Sequence, residues 1–348
     1  MSDGDIDPTD QMSLRVRRMH ARDAAEAASM MIADLPMPST LAEALPSLLH
    51  KLLANGCLAG FCVEAVRASE PEAKAQGGIA GFGLSGFLSD ACTEAFLKTP
   101  IPHFATSILE RSVGDGHSPA LLSIDAVARA NASVGLNLSP ICWLQRPRDR
   151  TSKKGAELMA LNMEIFIRQH RGYNLKCLVK EVSADEEARF VAGGYTRVKK
   201  LSATGGAERV ALILTREQAE RAEFGSALGI LFASRRPRLG FTRIQQQVLD
   251  GAVDDLSDQE IADHLGLSAH AINMRWRTVY ERIEEQPKIA SVVFRDKSHG
   301  TAGGVQKRRR VIGFVRAHPE ELRPFALMSA RGRTIGPLVA TKPAVADG

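Results

Sequence analysis

Three groups of side chains in this 348-residue sequence have types and spacing that could do chemistry. The first is His270, Asn273, Met274 and Arg277, whose intervals of three, one and three gather them on one face of a helix. Asn can bond adenine N6 and N7 together, Arg can bond guanine O6 and N7, and Met can meet a thymine methyl. The face could therefore read bases in a major groove, although an ordinary surface helix of a bundle could carry the same residues. The second group is cationic: Ser268, Arg275 and Arg282 flank that face, and the run Lys307-Arg308-Arg309-Arg310 follows, all of them candidate phosphate contacts. The third is Arg150, Lys153, Lys154 and Gly155, a basic loop leading into an amphipathic stretch, where a helix N-terminus could hold an anionic ligand.

Other constellations promise less. Gly81-Phe82-Gly83-Leu84-Ser85-Gly86 satisfies GxGxxG, but its alternation reads as a strand and no acidic residue follows at the distance a dinucleotide site needs. Cys57, Cys62, Cys92, Cys142 and Cys177 are odd in number and lack CxxC spacing, so buried free thiols are expected rather than a disulfide framework or a zinc site. His103 and His117 are isolated, and Glu186-Glu187 reads as a solvated helix face. No catalytic triad, carboxylate pair or metal set stands out. The expectation is a chain that is not an enzyme, with no metal and no cofactor.

The elements that must position these groups follow from periodicity and punctuation. Residues 1–12 read as a flexible leader, and 22–35 and 40–55 as helices, the second with Leu41, Leu45, Leu48, Leu49, Leu52 and Leu53 at helical spacing. A loop follows at 70–78. Strands are expected at 79–88, 138–144, 176–182, 195–200 and 210–214, with helices at 90–98, 156–169 and 185–191. Thr215-Arg216-Glu217-Gln218 matches a capping box, opening a connector helix to about residue 233 whose apolar stripe could pack on the domain or on a second subunit. Arg235-Arg236-Pro237-Arg238 breaks it. Two more capping boxes, Thr242 to Gln245 and Ser257 to Glu260, open the next helices. Gly266 supplies the turn, Ser268 caps the last helix, and Ile272, Trp276, Val279 and Ile283 form its apolar stripe. A basic helix at 305–317 and a loose tail from 331 complete the chain.

The 44% hydrophobic and 24% charged residues suit a globular protein and exclude a disordered or fibrous one. No run approaches the roughly 18 apolar residues of a membrane span, and no apolar segment marks a secretory signal, so a cytoplasmic protein without membrane contact is expected. The net charge of +5 is unevenly placed. Residues 1–234 carry −1, 235–285 carry −2 and 286–333 carry +8.

Phe241-Thr242, Gln247-Val248-Leu249, Leu256-Ser257, Glu260-Ile261-Ala262, Leu265-Gly266-Leu267-Ser268, Ile272-Asn273 and Val279 to Ile283 resemble the LuxR/GerE-type DNA-binding domain. The resemblance implies a helix-turn-helix whose second helix brings Asn273, Met274 and Arg277 to the bases. The pattern departs at Asn273, Ala271 and Arg275, where Lys, Thr and His are common. Neither an autoinducer-binding nor a phospho-receiver domain fits the part in front. Strand, basic loop, helix, strand, helix, Gly193-Gly194-Tyr195 and a last strand are instead similar in order to the C-terminal half of acyl-CoA N-acyltransferases. There a loop of amides holds pyrophosphate, which would put Arg150, Lys153, Lys154 and Gly155 at the ligand. The family's loop pattern, (Q/R)xxGx(G/A), lacks its first glycine here.

The expected architecture is therefore α+β. An α/β sensor-like domain spans 38–214 after a leader and first helix at 1–37. A connector helix and basic linker occupy 215–238, an all-α helix-turn-helix 239–286, a basic extension 287–330 and a tail 331–348. The expected function is transcription regulation as a homodimer on double-stranded DNA, with RNA polymerase as a partner and a small-molecule or protein effector at the first domain. Two alternatives stay open: an acyl-CoA-dependent transferase fused to a DNA-binding domain, and a sigma-factor-like promoter adaptor.

Overall fold

The computed structural model describes residues 12–67, 78–113, 120–202, 208–221, 227–294 and 304–326. The expected leader, the loop after residue 70, His117 and the C-terminal tail lie wholly or mostly outside them. The elements run β1 (Met12–Arg18), α1 (Ala24–Asp34), α2 (Ser39–Ala54), β2 (Leu58–Arg67), β3 (Ile79–Leu88), α3 (Asp90–Lys98), α4 (Phe104–Glu110), α5 (Ile124–Ala132) and β4 (Leu136–Gln145). They continue as α6 (Lys153–His170), β5 (Leu175–Ser183), α7 (Glu187–Ala192), β6 (Thr196–Leu201), β7 (Arg209–Thr215), α8 (Arg216–Arg221) and α9 (Ala227–Phe232). Five helices close the described chain: α10 (Arg243–Val253), α11 (Asp258–Leu265), α12 (Ala269–Glu284), α13 (Pro287–Val293) and α14 (Gly304–Ala317). The fold class is mixed α+β, and the chain divides into two compact units. One holds Met1–Ala126, Leu136–Arg171 and Leu175–Phe232, the other Val127–Gly135, Gly172–Asn174 and Ala233–Gly348.

The first unit is built on a seven-stranded sheet in the order β1-β2-β3-β4-β5-β7-β6. Neighbours are antiparallel except β4 and β5, which run parallel. Strand alternation sends Cys62, Phe82, Leu84, Ile141 and Val179 to one face, where they meet Met30 and Met31 of α1, Leu45 and Leu49 of α2, and Phe104 and Ile108 of α4. On the other face Phe61, Val63 and Trp143 pack under Leu158 and Ile165 of α6, and Val182, Val210 and Leu212 lie with Phe190 of α7. The GxGxxG match sits inside β3, where every residue is buried. A Cβ at Gly83 would come within 2.7 Å of the Phe61 ring, so this glycine makes room for packing and holds no phosphate.

Two strands escaped the sequence reading. β1 alternates apolar and cationic residues at the sheet edge, and Arg17 is buried there by ion pairs to Asp23 and Glu64, each at 2.7 Å. Nothing local to β1 announces those partners. α9 lies against α6, and Leu231 and Phe232 of the connector stripe are buried.

In the second unit the capping boxes at Thr242 and Ser257 form as expected, each side chain bonding the amide three residues on. Gly266 ends α11 in the left-handed region at φ +64, which a side chain would resist. Ser268 then caps α12 through the Ala271 amide. Pro287 does more than end a helix: at the first position of α13 its missing N–H costs nothing, so it starts one. α14 is integral to this unit, with Val311, Phe314 and Val315 buried among Val248, Leu249, Trp276 and Val279.

Candidate acyl-donor site and the exposed face of α12

The parallel pair β4 and β5 is joined only at its start. Leu136 pairs with Leu175, Asn137 with Cys177 and Leu138 with Leu178, and there the pairing between them ends. Both strands nevertheless continue, β4 held by β3 as far as Gln145 and β5 by β7 as far as Ser183. They therefore diverge, and each turns a row of peptide groups toward the gap. The cause is local. Leu84 pairs with Cys142 and Ser85 with Pro140, leaving Ile141 as an extra residue, and such a bulge bends its strand. Pro140 has no N–H to donate to a ladder. This proline inside an apolar run was the sequence signal for the divergence, and the reading of 138–144 as a plain strand passed over it.

The basic loop closes the open end of the gap. Ser152 caps α6 by accepting from the Gly155 amide at 3.2 Å, and Asp149 accepts from the Thr151 amide at 2.8 Å. The amides of Lys153 and Lys154, the first two of the helix, have no partner among the described residues. Gly155 is required by packing: a Cβ there would lie 2.9 Å from the Asp149 carbonyl carbon and 3.0 Å from the Arg150 Cα. Gln145 pins the loop from beneath, its amide donating to the carbonyls of Pro147 and Gly155 at 3.2 and 3.1 Å. Arg148 pairs with Asp34, and Arg150 pairs with Glu186 at 2.9 Å. Glu186 is thus not merely a solvated face.

The sequence reading missed Lys180, on the stretch of β5 beyond its pairing with β4. Its ammonium lies 4.2 Å from the centre of the Phe190 ring. Desolvation pulls its pKa down to about 8, against a raising influence from Glu186 and a further lowering one from Arg150. The available signal was Lys180 directly after the apolar run Cys177-Leu178-Val179 of β5. The neighbouring thiols offer no nucleophile, since burial pushes Cys142 up to about 12 and Cys177 up to about 11. All five cysteines are free. The Ser85 hydroxyl and His170 Nε2 are hydrogen-bonded at 2.7 Å, and His170 Nδ1 bonds the Phe166 carbonyl at 2.8 Å. Both residues are buried in the core, at 3% and 2% exposure, and the pair ties β3 to α6.

For a CoA thioester the fit is partial and specific. The divergent edges can pair the amides of an extended pantetheine arm, and the loop supplies positive charge and two open amides. Where the first glycine of the resembled pattern is missing, the Thr151 and Gly155 amides are already capped by Asp149 and Ser152.

In the second unit, α12 buries Ile272, Trp276, Val279 and Ile283 and leaves His270, Asn273, Met274, Arg275 and Arg277 exposed. Arg277 lies beside Glu281 at 3.0 Å and Arg282 beside Glu285 at 3.7 Å, exposed pairs that yield readily to a stronger partner. The Ser268 hydroxyl is engaged as a cap. Two members of the run Lys307–Arg310 have carboxylate partners within the unit. Lys307 bonds Glu284 at 2.8 Å between the rings of Tyr280 and Phe294. Arg308 pairs with Asp258 at 2.7 Å and lies over Trp276, whose indole N–H also donates to Asp258. Arg316 joins Asp255. Arg310 is half-buried, and Arg309 is exposed. The acidic excess of residues 235–285 is thus answered from within the unit by the +8 segment.

Among the described residues no cluster suits a metal ion, and no helix is long and apolar enough to cross a membrane. No family model and no curated protein matches the sequence. Solved structures do align with it. A chain of the NatC complex bound to Gag peptide and CoA is 12% identical over 59% of this chain and 99% of that one, with a TM-score of 0.33. The spermidine/spermine N-acetyltransferase SpeG from Vibrio cholerae is 11% identical over 60% and 98%, with a TM-score of 0.34. FeeM, an N-acyl amino acid synthase from uncultured soil microbes, is 11% identical over 61% and 95%, with a TM-score of 0.34. None of these comparisons supports the LuxR/GerE resemblance. The element order that suggested an N-acyltransferase is present in the fold, as a single parallel pair that diverges before a basic loop. The expectation of a chain that is not an enzyme is not carried forward: the solved structures aligned with this fold include the spermidine/spermine N-acetyltransferase SpeG and the N-acyl amino acid synthase FeeM.

Proposed function

We propose that the first unit transfers an acyl group from a CoA thioester to an amine. The observation that carries this reading is the divergence of β4 and β5 after three residue pairs, with the basic loop and the open amides of α6 at its wide end. The amine nitrogen attacks the thioester carbonyl, the C–N bond forms, the C–S bond breaks and the thiol leaves with a proton. Backbone N–H groups on the β4 edge beyond Leu138, where pairing with β5 has ended, would stabilise the oxyanion that develops on the carbonyl oxygen. Calorimetry with acetyl-CoA and with longer acyl-CoAs tests donor binding. Thiol release in the presence of polyamines or amino acids tests transfer. Absence of binding to any acyl-CoA would defeat the proposal.

A second reading concerns the second unit: α12 meets double-stranded DNA through Asn273, Met274 and Arg277, with His270 and Arg275 beside them. Its support is the exposure of this polar face on a helix whose other face is fully buried, after a glycine turn and a serine cap. The chain would then couple acyl-donor binding to transcription. A gel shift on genomic fragments tests it, and competition by any unrelated duplex at equal concentration would count against base reading.

A further inference from the structure

We infer that Lys180 is the cation that recognises a phosphate of the donor, making it the residue by which this site selects a phosphorylated thioester over a truncated one. The inference rests on the acyl-CoA reading above. Lys180 stands on the part of β5 that faces no strand on its β4 side, and its ammonium has no hydrogen bond and no ion pair among the described residues. Its neighbours are the Phe190 ring, the Glu186 carboxylate at the start of α7 and the Arg150 guanidinium on the loop. Glu186 is already held by Arg150 at 2.9 Å and by the Ser183 hydroxyl at 3.0 Å. A desolvated cation without a counter-ion is costly, and a ring face offsets only part of that cost.

An arriving phosphate would complete the group. The amides of Thr151 and Gly155 are occupied by Asp149 and Ser152, and Arg148 and Arg150 by Asp34 and Glu186. Within this cluster Lys180 is the half-buried cation with no direct ion pair among the described residues. Phosphate binding must then raise its pKa from about 8, so the protein takes up a proton when the ligand binds.

The experiment is calorimetry on the full chain with CoA and with S-acetyl-N-acetylcysteamine, which has the thioester arm and no phosphate. We expect Lys180→Gln to weaken CoA binding about tenfold, equivalent to about 1.4 kcal/mol, and to leave the truncated thioester unchanged. Lys180→Arg should restore most of the CoA affinity. At pH 8 the wild type should take up about half a proton on binding CoA, read from heats in buffers of different ionisation enthalpy, and Lys180→Gln should take up none. Lys180→Met, which keeps the packing, serves if the glutamine variant fails to fold. Unchanged CoA binding in Lys180→Gln or Lys180→Met overturns the inference, as does equal weakening of both ligands, which would mark a packing role. Failure of the wild type to bind CoA at all refutes the acyl-CoA reading itself.

Discussion

Replacing Gly155 by alanine tests whether the tight fold of the basic loop is what shapes the proposed donor site. Alanine is the better helix former, by about 1 kcal/mol in a helix interior, so a naive expectation is stabilisation. The structure predicts the opposite. The new methyl would lie 2.9 Å from the Asp149 carbonyl carbon and 3.0 Å from the Arg150 Cα, backbone atoms that cannot rotate away. The loop must shift as a whole, loosening the Gln145 bond to the Gly155 carbonyl and the Arg150–Glu186 pair. Overpacking of this kind typically costs about 1–3 kcal/mol. Set against the helix gain, a net loss of up to about 2 kcal/mol is expected. Urea unfolding measures it, and calorimetry with CoA should show weaker binding than the stability loss alone produces. Gly313→Ala is the control. It lies in α14 with nothing within 4 Å of its Cβ position, so stability should rise by about 0.5–1 kcal/mol. If Gly155→Ala is as stable as wild type and binds CoA equally, the loop-packing argument is wrong.

Asp23→Ala should destabilise the first unit by about 3 kcal/mol, because it removes a buried partner of Arg17 and the acceptor of the His20 amide; thermal unfolding reads this. Asp23 has a lowered pKa when folded, so its contribution is full above the unfolded value of 3.8 and is lost as pH falls through the folded value. Acid titration of stability should be shallower over that window in Asp23→Ala than in wild type. In the second unit, Arg308→Ala should cost on the order of 1 kcal/mol through the lost Asp258 pair and Trp276 stacking, both partly exposed, whereas Arg309→Ala should leave the unfolding midpoint unchanged. If α12 reads DNA, Arg277→Ala or Asn273→Ala should relax sequence preference at one base pair by about 1–3 kcal/mol in gel-shift competition, with stability unaffected.

The sequence by itself determined the local elements wherever a local rule sufficed. Strand 79–88 and helix 90–98 were legible to the residue from the local pattern, and the capping boxes at Thr215, Thr242 and Ser257 form as their spacing required. The stripe of Ile272, Trp276, Val279 and Ile283 fixed which face of α12 is buried, and so which residues it exposes. Tertiary structure decided what those elements mean together. Whether Lys307 and Arg308 meet phosphates or carboxylates depends on Glu284 and Asp258, more than twenty residues away, and no local pattern records that pairing. The proposed donor site depends on a bulge opposite β3, after which β4 and β5 part. Periodicity reports the face a side chain takes; register and divergence between strands are set by partners distant in the chain, and the site exists only once they have paired.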